Sequence, residues 1–252
     1  MKRLRIVGIG PGGPDQLTLE AVAALREVDV FLVADKGEGV ADLVAVREQL
    51  LAAHAPNARL VAVPDPERDR SPSDYGQAVD AWHEARAAAY EQVIAGIPDD
   101  QVGGFLVWGD PSLYDSTIRV VERVRERGIL DFEYDVVAGV SSVQLLAARY
   151  RIVLHRVGEP VVITTGRRLA DHVRNGDDNL VVMLDGHLQC AELCADQGDH
   201  WDIWWGANLG TSAEVLVSGR LADVLPEIRK SRDEAKAARG WVMDVYLLRR
   251  NR

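Results

Sequence analysis

Residues 6–18 read Ile-Val-Gly-Ile-Gly-Pro-Gly-Gly-Pro-Asp-Gln-Leu-Thr. An apolar strand runs into a loop of four glycines and two prolines, and Thr18 stands where a helix can start. Without Cβ atoms at the sharpest turns, such a loop lets a ligand lie against bare backbone. Gly8, Gly10 and Gly13 satisfy G-x-G-x-x-G after a strand, and Asp35 follows the second apolar run where a ribose-binding acid belongs, so the stretch superficially matches a dinucleotide fingerprint. In a dinucleotide site, however, the helix begins inside the motif and its first amides hold the pyrophosphate. Pro11 and Pro14 remove two of those donors, and consecutive glycines make a poor first turn. The segment is therefore expected to be an open loop with the helix postponed to Thr18. A dinucleotide-dependent oxidoreductase remains the rival reading.

The rest of the chain alternates strands and helices, which means an α/β fold with a mostly parallel first sheet. Strand signals fall at residues 4–9, 28–33, 60–63, 104–108 and 132–137. Helical spacing falls between them, with Leu19, Val22, Ala23 and Leu25 on one face behind an N-cap at Thr18. A second helix carries Trp82, Ala85, Ala89 and Val93, and a third carries Ile118, Val121 and Val124 and ends at Gly128. Residues 64–73 hold three prolines and read as a surface loop, a candidate flap. After about His155 the strands at 161–165, 180–184, 203–205, 215–220 and 243–248 enclose two helices, near 188–197 and 222–239, which suggests a mixed second sheet. The division expected is an N-terminal lobe over 1–155 and a C-terminal lobe over 156–252, with a ligand crevice between them.

Composition narrows the partners. With 252 residues and a net charge of −10, nucleic acid and anionic membranes are disfavoured. No apolar run reaches the roughly 18 residues of a membrane span, and the first apolar stretch is too short for a secretory signal, so a cytoplasmic protein is expected. Cys190 and Cys194, four apart beside His187 and His200, read as reduced thiols rather than as metal ligands.

Four stretches then carry a resemblance. The segment from Val7 to Thr18 resembles the first signature of the tetrapyrrole (precorrin and uroporphyrinogen) methylases. Gly109-Asp110-Pro111 resembles the second, and 138–142 (Ala-Gly-Val-Ser-Ser) the third, with Ala138 where the family usually has proline. Residues 210–221 resemble a fourth, with Val215-Leu216 in place of its Gln-Arg pair. Within the family, residues 33–38 and 240–250 look most like the deacetylating methylases that act at C1 of the corrin ring.

The resemblance implies two α/β lobes, a homodimer, a tetrapyrrole substrate and S-adenosylmethionine as methyl donor, with S-adenosylhomocysteine as product. It implies cofactor contacts from Pro11, Trp108, Gly109, Asp110, Leu113, Ser141, Ser142 and Val143. Met183 or Leu184, and Ala207 with Asn208, join these by motif position. The alternative for Asp110 is the cap of a helix near Ser112, and for Ser141 or Ser142 the cap of the next helix. Gly10 and Gly12 would border the ring. Arginines suit its carboxylates; Arg149, Arg151, Arg156, Arg167 and Arg168 cluster by sequence, with Arg156 and Arg167 the leading candidates. Loss of acetate calls for a base and a hydrogen-bond donor, for which Asp15, Asp35, His155 and Tyr114 are the candidates. Another methylase of the family and a tetrapyrrole carrier are the further alternatives.

Overall fold

The computed structural model describes residues 1–35, 41–66, 75–197 and 200–251; at 35, 41–45, 75–79, 195–197 and 239 only the backbone is described. Contacts divide the chain into two compact units, Met1–Gly10 with Pro14–Val140, and Pro11–Gly13 with Ser141–Arg252. The division thus falls at residue 140, where the sequence pattern suggested 155, and the centre of the glycine-proline loop groups with the second unit.

The first unit is a five-stranded sheet built from β1 (Lys2–Gly8), β2 (Val30–Asp35), β3 (Arg59–Pro64), β4 (Val102–Val107) and β5 (Phe132–Val137). Its order is β3-β2-β4-β1-β5, and every pairing is parallel. Alternate side chains serve opposite faces. Leu4, Ile6, Val30, Leu32, Phe105 and Val107 join the core that includes Val120, Val121 and Val124 of α4 (Thr117–Glu126) and Tyr90 and Ile94 of α3 (Tyr75–Ala95). Val7, Phe31 and Leu106 join the opposite core, with Ala21, Ala24 and Leu25 of α1 (Leu19–Glu27) and Leu50 and Leu51 of α2 (Ala41–His54).

Thr18 caps α1 as expected, its hydroxyl accepting from the Ala21 amide at 3.0 Å. The buried face of α1 is nonetheless Ala21, Ala24 and Leu25, and Leu19 is 89% exposed. The alanines allow the helix close to the sheet, so the bulkier face is not the buried one. On α3 the stripe is likewise turned by one position, to Arg86, Ala87, Tyr90 and Ile94, with Ala85 exposed.

The second unit is a mixed sheet ordered β6-β7-β10-β8-β9. Its strands are β6 (Val162–Thr165), β7 (Asn179–Met183), β8 (Trp201–Ala207), β9 (Val215–Arg220) and β10 (Asp244–Arg250). β6 and β7 are parallel; the other pairs are antiparallel. One face buries Trp201, Trp205 and Tyr246 with Ile228 of α8 (Leu221–Arg239) and Leu169 of α6 (Gly166–Arg174). The other buries Val181 and Leu247 under Val143 and Leu146 of α5 (Ser142–Tyr150). Cys190, first residue of α7 (Cys190–Gln197), lies in the former core, and burial pushes its thiol pKa up to about 12. Helices α2 and α6 have no counterpart in the sequence pattern. Among the described residues no helix is long and apolar enough to cross a membrane, and no cluster of His, Cys, Asp and Glu is arranged to hold a metal.

Candidate functional site

Within the first unit, three motif loops meet at the carboxyl ends of the neighbouring strands β4, β1 and β5, the edge where parallel sheets bind ligands. Two backbone bonds join the first loop to the second: Gly109 N–H donates to Gly10 O at 2.8 Å and Gly10 N–H to Gly109 O at 3.3 Å. The Asp110 carboxylate ties the second loop to the third, accepting from the Gly139 amide at 2.9 Å through one oxygen. Its other oxygen accepts from the Ser112 amide at 2.9 Å and from the Ser112 hydroxyl. Burial pushes this carboxyl's pKa upward, but those hydrogen bonds outweigh it and hold the group below the usual carboxylate range. Asp110 therefore staples two loops. The expectation that it caps a helix near Ser112 is corrected, because α4 begins only at Thr117.

The glycines do a different task from the one their spacing suggested. A Cβ on Gly139 would stand 2.1 Å from the Gly109 carbonyl oxygen, and one on Gly8 would stand 2.6 Å from the Gly139 nitrogen. Gly8 and Gly139 are thus required so that the loops can pack on one another. Gly10 (φ +76°) and Gly109 (φ +66°) also take left-handed backbone conformations. After them the chain stays open, with a single 3-10 turn at Pro14–Gln16 before α1, as the prolines predicted.

The remaining candidates of the first unit lie around this edge. Asp15 is exposed in the 3-10 turn, and Leu113 is half-buried. Tyr114 is 43% exposed with φ +53°, and partial burial raises its hydroxyl pKa. Asp35 ends β2, and its side chain lies outside the described residues. Trp108 is half-buried, with its indole N–H sealed from solvent and without an acceptor.

In the second unit, Ser141 caps α5 in a full capping box: its hydroxyl accepts from the Val143 and Gln144 amides, and Gln144 accepts from the Ser141 amide at 3.1 Å. Ser141 is thus the helix cap; Ser142 follows as the first helical residue, and Val143 is buried in the core. Gly12 is packed against the 209–211 segment, where an added Cβ would stand 2.7 Å from the Leu209 carbonyl oxygen. Pro11 beside it is buried. Met183 ends β7, and Leu184 follows it exposed in a left-handed conformation (φ +52°). Asp185 anchors that turn, accepting from the Tyr246 hydroxyl at 2.5 Å and the Gln189 amide at 2.7 Å.

Ala207 ends β8 fully buried. Asn208 follows with φ +50°, clamped to Met243 by a backbone bond of 2.8 Å and a side-chain bond of 3.2 Å. Its side-chain NH2 is buried and has no acceptor. That unanswered donor, close in sequence to the half-buried Gly210-Thr211, fits a group such as adenine that brings its own acceptors.

The predicted arginines are mostly committed elsewhere. Arg156 pairs with Glu159 at 3.2 Å and Asp178 at 3.4 Å and donates to Arg250 O at 2.6 Å, so it is a structural crosslink and not a free carboxylate ligand. Arg149 pairs with Glu214 and Arg168 with Asp171. Arg151 sits exposed at the C-cap of α5, and Arg167 is exposed on α6. His155 is exposed, its Nδ1 3.1 Å from Arg156 O. A cation that the sequence reading missed is Arg47 of α2, which stacks on Trp108; neither a motif nor a helical period marks it.

Comparison with known proteins agrees with this construction. The sequence model of the Tetrapyrrole (Corrin/Porphyrin) Methylases matches residues 3–225. The chain is 43% identical to a precorrin-6A synthase [deacetylating] of Sinorhizobium sp, over 99% of this chain and 96% of that one. The fold is similar to that of a putative cobalamin synthesis related protein (CobF) of Corynebacterium diphtheriae, with a TM-score of 0.84, 36% identity and 99% of each chain covered. A uroporphyrin-III C-methyl transferase of Thermus thermophilus, solved with S-adenosyl homocysteine, shares the fold at a TM-score of 0.60 and 20% identity, with 98% of this chain and 96% of that one covered. The chain belongs to the tetrapyrrole (corrin/porphyrin) methylases.

Proposed function

We propose that the protein is an S-adenosylmethionine-dependent C-methyltransferase of cobalamin biosynthesis, which methylates C1 of precorrin-5 and releases acetate to give precorrin-6A. The observation that carries this reading is the 43% identity, over nearly the whole of both chains, to the deacetylating synthase of Sinorhizobium sp. The donor supplies a methyl already activated by its sulfonium, so the protein's work is placement and exclusion of water. The stapled loops at Gly10, Gly109-Asp110 and Gly139, with Leu113, offer a rigid backbone edge for it.

In the transfer the ring carbon's electron pair forms the new C–C bond while the C–S bond breaks toward sulfur. In the deacetylation water attacks the acetyl carbonyl, its proton passes to a base, and the bond to the ring breaks with its electrons returning to the ring. Asp35 is assigned as that base because it ends a strand at the carboxyl edge that carries the motif loops. Tyr114 is assigned as a donor to the acetyl oxygen. The protein works as a homodimer in the cytoplasm. Titration calorimetry with S-adenosylhomocysteine is expected to show tight binding in the wild type and in Asp35→Asn, while acetate release slows at least tenfold in the variant. Equal loss of both properties removes the role of Asp35, and absence of binding in the wild type removes the methylase reading.

A further inference from the structure

Two arginines lie near the carboxyl end of the parallel sheet, and they differ sharply in how they are satisfied. Arg86, 7% exposed, has a counter-ion, although its Nε–H, like that of Arg47, makes no hydrogen bond. It pairs with Asp65 at 2.9 Å, donates to the Ser116 hydroxyl at 3.0 Å, and lies over the rings of Trp82 and Tyr90. Arg47, on α2, has no ion pair with any described carboxylate. Its guanidinium lies 5.8 Å from the ring centre of Trp108. Its Nε–H is sealed from solvent and lacks an acceptor, and so does the Trp108 indole N–H beside it.

Burial pulls the Arg47 guanidinium pKa down, against the opposing influence of Tyr90 and Asp115. Asp115 accepts from the Thr117 amide at 2.6 Å and makes no ion pair with Arg47. A half-buried cation without an ion pair to any described carboxylate, lying near the ring of a second unanswered donor, is a poor device for holding a fold together. It is a good device for receiving an anion with two acceptor oxygens, which takes parallel bonds from the guanidinium fork. Trp108 immediately precedes Gly109 and Asp110, so this pair of donors adjoins the stapled loops within the same unit.

We infer that Arg47, with the Trp108 indole N–H, binds one carboxylate arm of the tetrapyrrole substrate. The inference rests on the proposed function above, and it replaces Arg156 with Arg47 as the leading carboxylate ligand. It also assigns the indole of Trp108 to the substrate side rather than to the methyl donor.

The test is steady-state acetate release from precorrin-5 by the wild type, Arg47→Met and Arg47→Lys, together with calorimetry of S-adenosylhomocysteine and thermal melting of each ligand-free chain. Arg47→Met is expected to raise KM for precorrin-5 about tenfold or more, with kcat changed far less. Arg47→Lys, which keeps the charge and loses the fork, should fall between the two. Affinity for S-adenosylhomocysteine should not change, and ligand-free Arg47→Met should melt no lower than the wild type, because an unpaired half-buried cation has been exchanged for an apolar side chain. An unchanged KM in Arg47→Met, a loss shared equally with S-adenosylhomocysteine, or a melting temperature well below the wild type overturns the inference. A wild type that releases no acetate overturns the proposed function itself.

Discussion

Asp110 shows how much one side chain does here. Its carboxylate accepts from Gly139 and twice from Ser112, and those bonds depend on its being charged. Because its folded pKa lies below the ordinary value of about 3.9, the stability it contributes is complete above that value and is lost as pH falls through the folded pKa. Asp110→Asn should therefore lower stability at pH 7 by about 1 kcal/mol, a figure reduced for partial exposure of the group. The difference should shrink toward pH 3, and denaturant unfolding at the two pH values measures it; a difference independent of pH would contradict the charge argument. Residues of this kind were only half legible in the sequence. Motif position marked Asp110 and Ser141 as ligand contacts or helix caps, but could not show that Asp110 staples two loops, because that depends on where α4 begins and on the loop it meets. The arginines were misread for the same reason: Arg156 looks free until Glu159 and Asp178 are seen around it. Arg47 carries no local signal, and only the structure shows that its Nε–H lacks an acceptor.

At the scale of elements, the strands were the most legible feature, since Leu4, Ile6, Phe105 and Val107 alternate with residues bound for the other core. The first loop was legible through its prolines, which defer α1 to Leu19. Helix α2 was not, because its apolar residues are spread around the helix and leave no single stripe. Helix α6 was not either; it starts on a glycine, lacks a side-chain cap and buries little beyond Leu169. The loop cluster yields its own prediction. A methyl group at Gly139 would meet the Gly109 carbonyl, a backbone atom with no side chain to swing away. Gly139→Ala should cost about 3 kcal/mol or more and weaken S-adenosylhomocysteine binding with it. Thermal unfolding checks the first and calorimetry the second; a variant as stable as the wild type would show that the loops are not locked together.

For the whole molecule, family membership was legible because four motifs stand in order along nearly the full chain, and no single one of them would have sufficed. What sequence spacing could not supply was the use to which each motif residue is put. Several glycines expected to face a ligand pack one loop on another, and the buried donors left without acceptors include those of Asn208, Trp108 and Arg47. The most direct measurement is the stoichiometry of the reaction. With precorrin-5 and methyl-labelled S-adenosylmethionine, the protein is expected to transfer one methyl to the ring for each acetate released. Methyl transfer without acetate would place the enzyme at another position of the ring, and neither product would contradict the assignment altogether.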